Sequence, residues 1–203
     1  MRSAEKAMIR NFKKCLGVKV KTGIQRKENG DVSYRVQIGD VQFYDWLMRI
    51  GLFPTKSRTI GPIMVPDEFF ADYFRGCFDG DGSIAAYLDR YNIYKGRRYS
   101  AERLYIRIFS ASRGYIEWLK AKAEAILGAK SAIMCRIPKD NRYASLWILK
   151  FSQKSSLRLI EWMYRDPAAP ALPRKRRIAE NAARRIARRK RRKRKTIRSA
   201  PIK

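Results

Sequence analysis

Hydrophobic and polar positions along the chain alternate between helical and strand-like spacing. In the first seventeen residues Ile9, Phe12 and Leu16 recur three and four apart, so the pattern predicts a helix over Met1 to Gly17. Ser33 to Ile38 alternates with period two like a strand, Val41 to Ile50 returns to helical spacing, and Leu52-Phe-Pro-Thr-Lys-Ser57 closes that stretch. Pro66-Asp67-Glu68 then reads as a helix start with acids in its first turn, followed by apolar Phe69, Phe70, Tyr73, Phe74, Cys77 and Phe78. Strands are predicted over Ser83 to Tyr91 and Arg103 to Phe109, joined by a loop from Asn92 to Ser100. A further strand is predicted at Leu146 to Phe151 and a helix at Leu157 to Tyr164.

Laying Leu16-Gly17 against Leu127-Gly128 brings out a weak internal repeat. Each pair ends an amphipathic helix, each is followed by a strand and another helix, and each half finishes with a lysine after a proline, Lys56 and Lys175. The second half has helix, two strands, helix, two strands and helix, whereas the first begins at its central helix. The expected division is a partial first repeat over 1–61, a complete second repeat over 62–180, and a basic tail over 181–203. The start at Met1, inside a repeat, is expected to mark a fragment or a mis-started reading frame.

Composition narrows the chemistry. The 203 residues carry 47 Lys and Arg against 18 Asp and Glu, a formal charge of +29, which makes nucleic acid the expected partner. The chain has no histidine, which excludes nucleases with a histidine base or ligand, and zinc fingers with them. There is no Gly-x-x-x-x-Gly-Lys loop for an ATP-driven motor. No apolar stretch approaches a spanning helix and no secretory signal opens the chain, so a cytosolic protein is expected, or a nuclear or organellar one in a eukaryote. Cys15, Cys77 and Cys135 are odd in number and set among apolar residues, and read as reduced core cysteines.

Acid-based metal chemistry remains, and Phe74-Arg-Gly-Cys-Phe-Asp-Gly-Asp-Gly82 carries it. Two carboxylates, Asp79 and Asp81, end a helix, where the macrodipole disfavours negative charge unless a cation sits nearby. Gly76 and Gly80 lie four apart on one face, a cost of about 1 kcal/mol each against alanine that suggests close approach of a second helix. A two-residue hairpin turn leaves the long apolar run unexplained. An EF-hand loop from Asp79 requires glycine where Ile84 stands and glutamate where Arg90 stands. A plain helix C-cap accounts for Gly82 but not for the paired acids.

This stretch resembles the signature of the LAGLIDADG homing endonucleases, with Arg75 in place of a small residue and Cys77 in place of an aliphatic one. The resemblance implies an α/β fold of αββαββα repeats with an antiparallel saddle-shaped sheet, here one complete repeat plus part of another. It implies that Phe74, Gly76, Cys77, Phe78, Asp79, Gly80 and Gly82 form a helix that packs against a second signature helix. That helix would come from a missing N-terminal repeat or another subunit. It further implies that Asp81, with Gly80, holds a divalent cation, Mg2+ by preference because oxygen ligands suit a hard ion. Asp79 would support the turn. Lys56 and Lys175 stand where the family carries a basic residue close to the reacting phosphate. The implied function is metal-dependent, site-specific hydrolysis of double-stranded DNA in an intron or intein setting. An intron RNA maturase and a binding-only descendant are the alternatives.

Strand parity sketches a DNA face. With Leu104, Ile106 and Ile108 inward, Arg103, Tyr105 and Arg107 project outward, and Ala85 and Tyr87 share that face with Asp89. The same alternation aims Arg35 and Gln37 from the first half, and Arg136 and Lys150 from the second. Arginine and glutamine suit base edges in the major groove. From Arg174 to Arg198 fifteen Lys and Arg face only Glu180, and the unbroken run Arg188 to Lys195 is expected to be disordered when free and to clamp nucleic acid without regard to sequence.

Overall fold

The computed structural model describes residues 1–94, 96–140 and 142–198. Seven strands and six α-helices follow the order β1 (Arg2–Ser3), α1 (Lys6–Cys15), β2 (Gly23–Arg26), β3 (Val32–Arg35), α2 (Val41–Arg49), α3 (Phe70–Asp81), β4 (Gly82–Tyr94), β5 (Arg97–Ser110), α4 (Arg113–Leu127), β6 (Ser131–Arg136), β7 (Leu146–Phe151), α5 (Gln153–Met163) and α6 (Pro173–Arg198). Both sheets are antiparallel throughout, one of order β1-β3-β2 and one of order β4-β5-β7-β6. The fold is α/β, and α3 to α5 run in the order αββαββα.

The core lies between the four-stranded sheet and its helices. Phe70, Phe74 and Phe78 of α3 are fully buried, at the helical spacing of four, and burying each contributes roughly 2 kcal/mol. They meet Leu104, Ile106 and Ile108 of β5, Leu149 and Phe151 of β7, and the inner faces of α4, α5 and α6. Phe74 stands edge-on to Phe151, ring centroids 5.9 Å apart. Ser112 and Ser152 cap α4 and α5 by accepting from the backbone N–H groups of Tyr115 and Ser155.

The first half is built differently. Over residues 1–61 only Ile9 and Val36 among the hydrophobic side chains are buried, and α2 buries none. Val41, Tyr44, Trp46 and Met48 of α2 stay exposed although the helix is amphipathic. This half supplies a sheet and two helices without a core between them.

Three expectations require correction. The segment Asn92 to Ser100 is not a loop: β4 and β5 continue as a ribbon through Asn92↔Tyr99, Ile93↔Arg98 and Tyr94↔Arg97, with a register shift between Asp89 and Asn92. Lys95 lies outside the described residues. The basic tail is helical to Arg198, with Ala179, Ala182 and Ile186 giving α6 an apolar stripe that docks on the core, while residues 199–203 lie outside the described residues. Of the cysteines, Cys15 and Cys135 are exposed and only Cys77 is partly covered, so neighbouring apolar residues in sequence did not make them core residues.

Candidate active site

Helix α3 ends at the junction that carries the acids. Strand β4 starts at Gly82 directly against the last helical turn. A Cβ on Gly82 would lie 2.5 Å from the Phe78 carbonyl oxygen and 2.6 Å from its ring. Only glycine permits this turn from helix to strand, and the turn places Asp81 at the surface while Asp79 points inward.

The two carboxylates therefore differ in kind. Asp79 is buried. Its Oδ2 accepts from the Leu172 backbone N–H at 2.7 Å, and its Oδ1 has no hydrogen-bond partner. Burial pushes its carboxyl above the usual carboxylate range, opposed by the Leu172 N–H, the Lys175 ammonium and the Arg75 guanidinium. Asp79 thus joins the helix end to the segment before α6. Asp81 is exposed, and it lines two clefts.

The first cleft is a groove of about 900 Å³ along α3, lined by Tyr73, Gly76, Cys77 and Asp81, by Phe12, Leu52 and Lys56 of the first half, and by Phe109 and Leu146. Lys56 opens a short 3-10 turn, Lys56–Arg58, entered through Thr55 at φ 55°. The structure thus brings Lys56 and Asp81 to one groove. The second cleft, about 380 Å³, is lined by Glu5, Asp79, Gly80, Asp81, Arg174 and Lys175.

Lys175 behaves unlike Lys56. It is buried and donates to the carbonyls of Phe78, Asp79 and Gly82 at 2.6, 2.9 and 2.7 Å, with its Nζ 5.1 Å from the centre of the Phe78 ring. Burial pulls its pKa down, but three acceptors require the three hydrogens of the protonated form. It satisfies the orphan carbonyls of the helix end and leaves no N–H for a phosphate. The expectation of a second free catalytic lysine is corrected accordingly: the sequence placed Lys175 beside the site but could not show where its hydrogens go.

Arg75, a departure from the signature, is explained by packing. Its guanidinium donates to the carbonyls of Met163 at 2.8 Å and Pro170 at 2.9 Å and pairs with Asp72, tying α3 to the end of α5 and the chain beyond it. Cys77 is also held, with its Sγ 2.9 Å from the Tyr115 hydroxyl, which lies 2.8 Å from that of Tyr73. Burial pushes the Cys77 thiol up to about 11 and moves both phenols upward as well, so all three stay neutral near pH 7. Sequence reasoning noted Arg75 only as a departure from the signature and missed Glu5 and Tyr115, since neither stands at a spacing that marks it.

Gly76 and Gly80 have open space where a Cβ would be. Among the described residues no backbone approaches them, so the second helix expected from a further repeat or another subunit has no counterpart among these residues.

The outward sheet face follows the predicted parity. Leu104, Ile106, Ile108, Leu149 and Phe151 are buried, so Arg103, Tyr105 and Arg107 point to the other face, opposite Tyr87, Ala85 and Ser83. Lys150 is opposite Arg107 and lies over the Tyr105 ring at 4.6 Å. Arg136 shares this alternation on β6, opposite Leu146. Arg103 bridges to Asp89 at 3.0 Å on the same face. Arg35 and Gln37 are exposed and bonded to each other at 2.6 Å in the first half.

No three acidic or cysteine side chains cluster as a ready cation site among the described residues. Asp81 alone offers an exposed carboxylate beside the Gly80–Asp81 backbone, a donor set of oxygen type that fits a hard divalent cation completed by phosphate and water.

No protein-family model and no curated protein matches the sequence. Solved structures do. The LAGLIDADG meganuclease I-AabMI bound to uncleaved DNA is similar over 94% of this chain and 80% of its own, at 12% identity and a TM-score of 0.57. The K262A mutant of I-SmaMI matches over 85% and 73% at 15% identity and a TM-score of 0.47. The homing endonuclease I-CvuI in complex with its target matches over 60% and 68% at 19% identity and a TM-score of 0.41. Helix α3, which ends in its paired acids beneath an antiparallel sheet, belongs to a chain with the fold of the LAGLIDADG homing endonucleases.

Proposed function

We propose that the protein is a site-specific, metal-dependent endonuclease of double-stranded DNA, of the kind that accompanies introns or inteins. The observation that carries this reading is the exposed Asp81 carboxylate sharing a groove with Lys56, at the edge of the outward face that bears Arg107 and Lys150. The similar meganuclease I-AabMI, bound to uncleaved DNA, supports the same substrate.

Asp81, with the Gly80 carbonyl, would hold the cation, Mg2+ by ligand chemistry. The bound ion would supply Lewis-acid activation of water and stabilise charge on the leaving oxygen. Lys56 would stabilise the charge that develops on the phosphate. Arg103, Tyr105, Arg107, Arg136 and Lys150, with Arg35 and Gln37, would orient the duplex, while Ala85 and Tyr87 contact base edges or sugars. Lys175 and Asp79 position Asp81 from behind, through the carbonyls of the helix end and the Leu172 N–H.

A cut through both strands needs a second carboxylate, and the groove along Gly76, Cys77 and Asp81 is where a second signature helix would deliver it. A chain with one such acid also suits binding without cutting. Incubating the purified chain with a randomised duplex library in Mg2+, beside Asp81→Asn, separates the readings. Sequence-specific cuts that vanish in Asp81→Asn support the enzyme. Cuts of equal yield in both would remove Asp81 from the reaction, and salt-sensitive binding with no cuts would leave a binding protein.

A further inference from the structure

The largest concentration of charge on the molecule is not on its sheet face. Helix α6 docks through buried Lys175, Ala179, Ala182 and Ile186, and the last three join the same core as Leu104 and Ile106. It therefore lies on the inner side of the β4–β5 ribbon. Arg185 reaches Glu102 at 3.5 Å, and Arg189 donates to the Ser100 hydroxyl at 2.6 Å and to the Ser100 carbonyl. Ser100 and Glu102 alternate with Leu104, away from Arg103, Tyr105 and Arg107. A duplex lying on the outward face is screened from α6 by the ribbon itself.

At 100° per residue, Arg177, Arg184, Arg188 and Arg191 form one stripe directly opposite the docked stripe. All four are exposed. From Arg177 to Arg191 the stripe extends roughly 21 Å at 1.5 Å per residue. The acids that pair with α6 among the described residues are Glu5, Glu102 and Glu180, and they meet Arg174, Arg185 and Arg176. None neutralises the stripe.

We propose that this stripe binds a second segment of double-stranded DNA, on the side of the ribbon opposite the sheet face, so that one chain bridges two duplex segments. Charge complementarity argues for a phosphate backbone, since guanidinium groups spaced along more than half a helical turn of B-DNA follow a strand without reading bases. Duplex DNA is favoured over RNA because B-form phosphates are open to a rigid rod of arginines. A-form RNA is read chiefly through its minor-groove hydroxyls. The inference rests on the placement of α6 and stands whether or not the chain cuts DNA.

The test uses the full chain in EDTA, with 30-base-pair duplexes labelled separately with donor and acceptor dyes. The native chain should bind two duplexes and bring donor and acceptor together. The variant Arg177→Gln/Arg184→Gln/Arg188→Gln/Arg191→Gln, with an unchanged melting curve, should bind one duplex and give no transfer. The salt slope of the lost event should be about 3–4, near 0.9 per phosphate contact. Arg103→Gln/Arg107→Gln should weaken the other event and spare this one, which separates failure of the sheet face from failure of α6. A single duplex per native chain, transfer persisting in the quadruple variant, or selective loss of transfer to structured RNA would each overturn the proposal.

Discussion

The ammonium of Lys175 lies 2.6 Å from the carbonyl oxygen of Phe78 and thereby becomes part of the helix that ends in Asp81. With the Asp79 and Gly82 carbonyls it closes the C-terminus of α3, where a cation also offsets the macrodipole and the acids placed there. Lys175→Met should leave buried carbonyls without donors and cost about 3 kcal/mol, read as a lower urea midpoint at unchanged slope. A variant of native stability that has lost cleavage alone would instead make Lys175 a reacting cation.

Gly82 is a second fixed point. Alanine there would place its Cβ within 2.8 Å of three Phe78 atoms, two of them backbone, so the strand start must move. Gly82→Ala should lower stability by about 1–3 kcal/mol and displace Asp81 with it. A melting temperature within a degree of the parent would show that the junction yields freely.

Lys56 is half-buried and lines the groove with Asp81. If the chain cuts, Lys56→Met should reduce the rate by about 10²–10³, the loss typical of one preorganised cationic or hydrogen-bond donor. DNA affinity and melting temperature should stay close to the parent's. Loss of rate in proportion to loss of affinity would assign Lys56 to binding instead.

Asp79 gives the protein a pH signature. Its carboxyl is displaced upward by burial, so the folded state holds the proton more tightly than the unfolded chain. As pH rises above the ordinary carboxylate value the unfolded chain ionises first, and the folded state must then ionise a buried group. Its contribution therefore falls from about pH 4 upward, by about 1.4 kcal/mol for each unit of displacement. Asp79→Asn keeps an acceptor for the Leu172 N–H and removes the ionisation. The stability difference, parent minus variant, should decline across that window and then level off. A flat or rising difference would contradict this account.

Several of these relationships were legible in the sequence and others were not, for physical reasons. The run Phe70, Phe74, Phe78 predicts α3 because three aromatics at spacing four leave one packing solution. Leu104, Ile106 and Ile108 fix the parity of β5, and through it Tyr105, Arg107 and Lys150. Residues 92–100 read as a loop because Ile93, Arg98 and Tyr99 are exposed, so no inward apolar alternation marks the ribbon there. The basic tail read as disordered because its charge is obvious and its docking stripe is mostly alanine, a weak periodic signal. Lys175 could be placed near the site but read as a cation for the phosphate, since the backbone carbonyls that hold it lie more than ninety residues away in sequence. Such bonds leave no side-chain pattern.

Gly76 gives the sharpest separation between this chain by itself and a paired state. Its Cβ position opens on empty space, so within the chain Gly76→Ala meets nothing and gains helix propensity of about 0.5–1 kcal/mol. Gly76→Leu should be tolerated as well, its side chain projecting into the groove lined by Tyr73, Cys77 and Asp81. If a second helix docks along that face to deliver another acid, leucine there holds the two backbones apart. The expected result is a variant at least as stable as the parent that still binds DNA and no longer cuts it. Thermal melts, salt titrations of binding and cleavage of the selected site read the three properties separately. Cleavage that survives Gly76→Leu would mean that no backbone packs against this face of α3, and that any second acid reaches the phosphate by another route.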